Sequence, residues 1–325
     1  MSELYILDVG HGNCSVLVSD GYVVVIDAGS HTTLLEFLAE EGITRIDVFL
    51  ISHADADHLR GLQAVLASGA VAIGVVRLNA DATKQTQLWD DILFTLNALH
   101  KTTNLDAQTA LTTGDSRRFD CHDVQIEVLA PSLYVAGKSA GSLDRANRAL
   151  TSNSNSAVIR LGVAEVPLVL LPGDLDQTGL SNLLEDGREI TARVAVFPHH
   201  GGRPGKDDPV AFAEEFCRQA MPEVVIFSIG RGKYDTPRPD IVEAVRRELP
   251  NARIICTQLS QHCAETVSAD AATHLIEKFA QGRPANACCG GTIMIQMQPA
   301  ELNVSPGALH EDFVRTYASS ALCGD

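Results

Sequence analysis

One short segment of the chain concentrates the side chains best suited to metal chemistry. Residues 53–58 read His-Ala-Asp-Ala-Asp-His, which places four possible metal ligands within six residues. Alternate side chains of an extended segment point the same way, so residues 53, 55 and 57 share one side, and His58 reaches a second position at the turn into a helix. Asp57 could cap that helix, but a cap uses one such side chain, and the whole segment predicts a metal centre.

Two later segments place the same residue types directly after predicted strands. Residues 166–171 run into Pro-Gly-Asp, which puts Asp174 at a strand end, and residues 194–197 run into Pro-His-His, which puts His199 and His200 at another. Either segment alone is more typical of a turn. Three strand ends that deliver histidine and aspartate to one rim predict a centre for two metal ions. Which of the two adjacent histidines is a ligand stays open.

The elements that must position these residues alternate along the chain. Apolar runs between turn residues predict strands, and apolar residues at helical spacing predict helices. The predicted strands are residues 4–7, 14–18, 22–26, 47–51, 71–76, 124–129, 157–161, 166–171, 194–197, 224–228, 253–256 and 292–297, and the predicted helices are 33–41, 59–67, 86–101, 179–186, 209–219 and 239–249. A long loop is predicted over residues 131–154. The pattern predicts one α/β domain over residues 1–300, followed by a C-terminal tail over residues 301–325.

The composition excludes several classes of protein. The chain of 325 residues is 45% apolar and 20% charged, as in ordinary globular proteins. Its 25 basic and 41 acidic residues give a net charge of −16, which argues against non-specific polyanion binding but not against a nucleic acid held at a metal. No apolar stretch is long enough to cross a membrane, and the first residues do not read as a signal peptide. We therefore expect a cytoplasmic protein without a membrane partner.

Taken together, these segments resemble the metallo-β-lactamase superfamily, and more narrowly the ComEC-type hydrolase domains and their free-standing relatives. The resemblance covers about residues 4–297. Its landmarks are residues 7–13, 26–29, 52–62, 153–156, 171–174, 197–201 and 228–230. The resemblance implies an α/β fold, the four-layer αββα sandwich of that superfamily. It also implies a hydrolase with two divalent metal ions.

The resemblance assigns roles to the clustered residues. The implied metal ligands are His53, Asp55, Asp57, His58, Asp174 and one of His199 and His200. Asp174 would bridge the two ions, and Asp57 and the histidine pair are the implied catalytic residues. Asp27 would orient a ligand histidine. The carboxylates favour manganese, with zinc as the alternative.

Several positions depart from the pattern of the ComEC type. Asp55 stands where a histidine is frequent, and Thr236 and Arg238 stand where two histidines are usual. The superfamily carries a further ligand histidine before the Gly-Asp segment, and here Asn153 and Asn155 stand there instead. These departures favour at least one ion and weaken the case for two.

Polar residues around the predicted centre are candidates for substrate binding. They are His11, Asn153, Asn155, Lys233, Thr236 and Arg238. Lysine and arginine bind phosphate, and arginine does so with a bidentate fork. We expect a phosphodiesterase or nuclease that acts on nucleic acid or a nucleotide through a metal-bound hydroxide. The alternatives are a lactone or thioester hydrolase, and a non-catalytic or partner-activated module of a defence or toxin cassette, with its protein partner encoded nearby.

Four residues near the C-terminus form a separate candidate site. Cys256, His262, Cys263 and Cys288 could together bind a structural zinc ion. Their spacing contains no Cys-x-x-Cys pair, and buried thiols explain the cysteines better, since free cysteine is among the most buried residue types. A reducing compartment disfavours a disulfide.

Overall fold

The computed structural model describes residues 2–29, 32–264, 267–318, 321, 323 and 324. These residues form fourteen β-strands and eight α-helices. The strands are β1 (Ser2–Ile6), β2 (Ser15–Ser19), β3 (Tyr22–Ile26), β4 (Arg45–Ile51), β5 (Ala72–Leu78), β6 (Asp106–Gln108), β7 (Val124–Ala130), β8 (Val158–Val163), β9 (Val166–Leu171), β10 (Val194–Val196), β11 (Val224–Phe227), β12 (Arg253–Cys256), β13 (Ile293–Gln296) and β14 (Asn303–Ser305). The helices are α1 (Thr33–Glu40), α2 (Ala56–Ser68), α3 (Gln87–Thr102), α4 (Leu133–Lys138), α5 (Gln177–Glu185), α6 (Pro209–Ala220), α7 (Pro239–Glu248) and α8 (Ala308–Tyr317). None of the described helices combines the length and hydrophobicity needed to cross a membrane.

Two sheets carry the strands. The larger has the order β14-β13-β1-β2-β3-β4-β5-β6, and the smaller has the order β12-β11-β10-β9-β8-β7. Pairing is parallel from β3 to β6 in the larger sheet and from β9 to β12 in the smaller one. The carboxyl ends of parallel neighbours lie at one edge of a sheet, so the loops that follow these strands converge.

Alternating side chains divide the core into three layers. Leu4 and Ile6 of β1 pack between the sheets against residues such as Ile159 of β8. Tyr5, which lies between them in sequence, points to the opposite face and packs with Phe37 and other residues of α1, α2 and α3. Helices α5 to α8 cover the outer face of the smaller sheet. The molecule is a helix–sheet–sheet–helix sandwich, and the predicted four-layer αββα fold is confirmed.

Two helices differ from the sequence prediction near the site. Helix α2 begins at Ala56 rather than near residue 59, so Asp57 and His58 lie in its first turn. The segment over residues 131–154, predicted as one long loop, contains the short helix α4. The earlier start of α2 matters for the site, because it places His58 on a helical turn while its ring still contacts that of His53, with centroids 4.1 Å apart.

The C-terminal segment, which the sequence predicts as a tail, contributes two elements to the sandwich. Strand β14 pairs with β13 at the edge of the larger sheet. Helix α8 buries Phe313 and Val314 against the helices that cover the smaller sheet. The described residues of this segment therefore pack on the sandwich, while the domain boundary at residue 300 stays a prediction.

Candidate metal centre

Residues at the ends of β3 and β4 build one wall of the site. Asp27 follows β3, and its carboxylate accepts hydrogen bonds from the backbone N–H of Ser52 at 2.7 Å and from the Ser52 hydroxyl at 2.8 Å. It also accepts a hydrogen bond from Nδ1 of His58 at 2.8 Å. Because a carboxylate can only accept, Nδ1 carries the proton and the Nε2 of His58 presents a lone pair to the interior of the site.

Asp174 lies at the centre of the site, just beyond the end of β9, and is 3% exposed. The preceding Gly173 has a φ of 55°, and a Cβ atom there would lie 2.3 Å from Oγ of Ser156 and 2.7 Å from Oγ of Ser52. Only glycine allows this close approach of the chain to its neighbours. The Asp174 backbone N–H donates to Oγ of Ser156 at 3.1 Å, and this bond fixes the backbone position from which the carboxylate extends.

A left-handed turn gives the two adjacent histidines different roles. His199 and His200 have φ of 54° and 57°, a conformation that costs a non-glycine residue about 1–2 kcal/mol. His200 turns inward, and its Nδ1 donates to the Ser228 carbonyl at 2.8 Å, so its Nε2 lone pair faces Asp174. His199 remains partly exposed, and its Nδ1 donates to Oδ2 of Asp174 at 2.9 Å. The turn thus places His200, and not His199, among the inward-facing acceptors.

Four ligand atoms converge at this point. Asp57, His58, Asp174 and His200 each offer one ligand atom, and these atoms all lie within 4.8 Å of one another. Oδ1 of Asp174 is 3.2 Å from Nε2 of His58 and 3.4 Å from Nε2 of His200. Among the described residues, these three buried atoms have no hydrogen-bond partner. A cation between facing acceptors satisfies all of them, so the residues fit a divalent metal ion.

Electrostatic interactions keep the carboxylates of this group ionised. Burial acts to raise the pKa of Asp174, but the neighbouring imidazoles of His200 and His58 and the hydrogen bond from His199 hold that pKa well below its usual range. Burial also acts to raise the pKa of Asp57, while the neighbouring imidazoles of His11 and His200 lower it. The ionised carboxylate is the form that binds a metal ion.

On the other side of Asp174, which carries His53 and Asp55, a protein donor contacts one of the acceptor atoms. Nε2 of His53 lies 3.7 Å from Oδ2 of Asp55 and 3.9 Å from Oδ2 of Asp174, and it is buried with no partner in the described part of the chain. Oδ1 of Asp55 contacts the ammonium of Lys84. Although burial acts to raise it, His53 and Lys84 hold the pKa of Asp55 at about 2. Lys84 belongs to no motif, and the sequence analysis missed it.

An open cleft of about 570 Å³ leads to these residues. Its lining includes Arg60, Arg203 and Lys233, although the chain as a whole has a net charge of −16. Tyr234 is 70% exposed and packs against His11, with ring centroids 4.5 Å apart. The cleft therefore combines positive charge and an exposed aromatic face beside the metal ligands.

Sequence reasoning missed three residues of this cleft. Arg60 and Arg203 each follow a predicted ligand by two or three residues, and that proximity is the signal that could have identified them. Tyr234 lies beside Lys233, a predicted substrate residue, and Nζ of Lys233 is 5.2 Å from the centroid of its ring. An exposed aromatic residue next to a basic one is a recurrent feature of nucleic-acid clefts.

The predicted substrate residues divide into two groups. His11 and Lys233 line the cleft, and Nε2 of His11 is 3.4 Å from Oδ2 of Asp57. Asn153 lies beside the cleft, where its amide nitrogen is 3.5 Å from Nδ1 of His199.

The other three predicted substrate residues face away from the cleft, contrary to expectation. Nε and Nη2 of Arg238 donate to the two carboxylate oxygens of Asp240, at 2.9 and 2.7 Å. Thr236 is buried, and its hydroxyl donates to a backbone carbonyl at 3.4 Å. Asn155 is buried as well, with its side-chain amide paired to the backbone of Val135 and Ala140. Their hydrogen bonds are made within the protein, which leaves a substrate to other residues.

The four residues of the predicted structural zinc site do not come together. Nε2 of His262 pairs with Asp235 at 2.7 Å near the surface, whereas Sγ of Cys288 donates to buried Asp8 at 3.4 Å. Cys256 and Cys263 are buried among apolar residues that cover the smaller sheet. Within the described residues, the converging group of possible metal ligands is the one around Asp174, and the four predicted zinc ligands do not form such a group.

Comparison with known proteins agrees with the fold. Residues 7–128 match the family model described as "Metallo-beta-lactamase superfamily". The chain is 22% identical, over 218 residues, to ComE operon protein 3 of Bacillus subtilis (strain 168). That alignment covers 66% of this chain and 24% of the relative, so the chain spans about a quarter of the relative's length.

Solved structures with this fold show low sequence identity to the chain. The metallo-beta-lactamase fold protein YhfI from Bacillus subtilis is 10% identical, with a TM-score of 0.49 over 78% of this chain and 95% of that one. Igni18, a metallo hydrolase from Ignicoccus hospitalis KIN4/I, is 16% identical, with a TM-score of 0.45 over 78% of this chain and 94% of that one. Identities this low and TM-scores below 0.5 say nothing about substrate.

Proposed function

We propose that this chain, whose residues 7–128 match the metallo-β-lactamase superfamily model, is a metal-dependent phosphodiesterase acting on nucleic acid or a nucleotide. The observation that carries the proposal is the lining of the cleft. Arg60, Arg203 and Lys233 line the cleft beside the candidate metal ligands of a protein whose net charge is −16. A neutral lactone or thioester offers no negative charge for three cations to pair with, whereas a phosphodiester and its neighbouring phosphates offer several.

Asp57, His58, Asp174 and His200 would hold the metal ion of this enzyme. Such an ion, when bound, acts as a Lewis acid on a phosphoryl oxygen and lowers the pKa of bound water. Two imidazoles and two carboxylates suit zinc and manganese alike, and the carboxylate share favours manganese. Asp27 keeps the proton of His58 on Nδ1, which leaves Nε2 available as a ligand.

The remaining cleft residues would bind the substrate and complete the proton transfer. Arg203 and Lys233 pair with phosphates, and the exposed face of Tyr234 stacks on a base. His199 borders the cleft with Nδ1 held by Asp174, and we assign it the protonation of the leaving oxygen. These roles need a substrate that carries both phosphate and base, as nucleic acid does.

A direct assay tests the proposal. The full chain, loaded with Mn²⁺ or with Zn²⁺, is offered single-stranded DNA, a bis-nitrophenyl phosphate ester, a lactone and a thioester. We expect turnover of the two phosphodiesters, and we expect its loss in Asp174→Asn, because that carboxylate is central to the ligand cluster. Turnover of the lactone or thioester alone would favour the carbon–oxygen or carbon–sulfur hydrolase. Bound metal without any turnover would favour a partner-activated module.

A further inference from the structure

We infer that the centre holds a single divalent ion, and that the ammonium of Lys84 serves as the second cation, beside Asp55. The inference deepens the proposed function, since it rests on the same metal centre, and it departs from the two ions that the resemblance implies. Two observations support it: protein donors contact the acceptor atoms on one side of Asp174 but not on the other, and a fixed loop holds Lys84 beside Asp55.

The fold delivers Lys84 to the site. Strands β4 and β5 are parallel neighbours, so the loop after β5 ends at the same sheet edge as the segment that carries His53 and Asp55. Asp81 holds this loop in place: its carboxylate accepts from the backbone N–H of Thr83 at 2.8 Å and from the Thr83 hydroxyl at 2.6 Å. The same carboxylate accepts from Ser152, in the segment before β8. The approach of Lys84 to Asp55 is therefore built into the loop.

On the side of Asp174 that carries His53 and Asp55, protein donors already contact the acceptor atoms that a second ion would need. Oδ1 of Asp55 contacts the Lys84 ammonium, and Oδ2 of Asp174 accepts from Nδ1 of His199 at 2.9 Å. Asn155, near the place of the missing ligand histidine, pairs with backbone groups instead. Nε2 of His53 and Oδ1 of Asp55 accept no hydrogen bond from the described residues, but the Lys84 ammonium contacts Oδ1 of Asp55 as an ion pair, which leaves Nε2 of His53 without a partner. One free imidazole is too few ligands for a second ion, which takes about four.

The other side of Asp174 has the opposite character. Nε2 of His58, Nε2 of His200 and Oδ1 of Asp174 are buried, face one another and lack partners in the described part of the chain. Charge leads to the same conclusion. The three carboxylates that face the centre, Asp55, Asp57 and Asp174, carry three negative charges, and the Lys84 ammonium cancels one. The two that remain match one divalent ion.

Metal counting on the full chain tests the inference without a substrate. After equilibration with Mn²⁺ and removal of free ion, we expect one ion per wild-type chain. Lys84→Met releases Asp55, which together with His53 and the second lone pair of Oδ2 of Asp174 offers three protein ligands besides water, and it should raise the count to two. Lys84→Arg keeps a cation and should stay at one, as should Lys101→Met, which removes an exposed lysine of α3. In electron paramagnetic resonance, the resolved hyperfine lines of an isolated Mn²⁺ ion should broaden by exchange coupling in Lys84→Met alone.

Several outcomes would overturn the inference. Two ions in the wild type would do so, as would a Lys84→Met chain that still binds one. An Asp55→Asn variant provides a second measurement, because it should keep one ion if Asp55 binds Lys84 and should lose one if Asp55 is a ligand. Phosphodiester turnover is independent of this count: a two-ion enzyme could still cleave DNA, and a one-ion protein could still fail to.

Discussion

The two sides of Asp174 are made of the same residue types. They differ in whether protein donors contact their acceptor atoms. Around His58 and His200, lone pairs face one another across a gap with no donor among the described residues. On the side of His53 and Asp55, the Lys84 ammonium contacts Oδ1 of Asp55, and the Nδ1–H of His199 donates to Oδ2 of Asp174. One segment of six residues supplies ligands to both sides. Under the one-ion proposal, the number of bound ions depends on the donors that other strands bring to the site and not on ligand chemistry alone.

The largest effect should come from removing the carboxylate that the two sides share. Asp174→Asn keeps the size of the side chain but removes its charge, and His58→Ala removes one ligand. We expect both to lose the bound ion and to reduce kcat/KM for a chromogenic phosphodiester by more than about 10²–10³-fold, the usual cost of one electrostatic contact to the transition state.

Metal analysis, kinetics and circular dichroism would check this prediction. Asp91→Asn, which changes an exposed aspartate of α3, is the matched control. A variant at Asp174 or His58 that kept its ion and its activity within about tenfold, well short of one lost contact, would contradict the ligand assignment.

The two adjacent histidines offer the sharpest version of the comparison. His200→Ala should lose the ion, because its Nε2 belongs to the ligand cluster. His199→Ala should keep the ion and lose about 10²–10⁴-fold in DNA cleavage, the usual contribution of a general acid. Its loss should be smaller for a nitrophenyl ester, whose leaving group needs no proton. Equal losses on the two substrates would contradict the assignment of His199 as the general acid. If His199→Ala lost the ion and His200→Ala kept it, His199 would be the ligand and His200 the acid.

A weaker effect is expected one hydrogen bond away from the ion. Asp27→Asn replaces the acceptor that holds the proton of His58 on Nδ1. Changes to such partners of ligand histidines typically lower metal affinity by about 10–100-fold. Competition with a chelating dye would measure the dissociation constant. An unchanged constant would mean that the Ser52 and α2 contacts alone orient His58.

The smallest effect should appear at the rim of the cleft. Removing one cation that contacts single-stranded nucleic acid reduces the slope of log K against log salt by about 0.7. Lys233→Ala and Arg203→Ala should each show this reduction in DNA binding, with little change on a small chromogenic ester. Arg238→Ala is the matched control, because its guanidinium is already paired with Asp240. A slope that falls as much in the control would place the DNA elsewhere.

Much of the fold could be predicted because its signals are local. The alternation of Leu4, Tyr5 and Ile6 between two faces of β1 follows from the period of a strand. The start of α2 could not be predicted to the residue, because Ala56 and Asp57 suit an extended ligand segment as well as a first helical turn. Strand β14 and helix α8 were missed because their sequence pattern is weak and their stability comes from packing on β13 and on the helices of the smaller sheet.

The sequence by itself determined which side chains could bind a metal, because residues 53–58 are contiguous and the Gly-Asp and Pro-His-His segments end predicted strands. Tertiary structure alone decided how those side chains are used. It turned His200 inward through a left-handed turn and a bond to the Ser228 carbonyl, and it brought Lys84 to Asp55 across neighbouring strands. The physical reason is that these contacts join residues far apart in the chain, whose distances depend on strand order and packing rather than on local spacing.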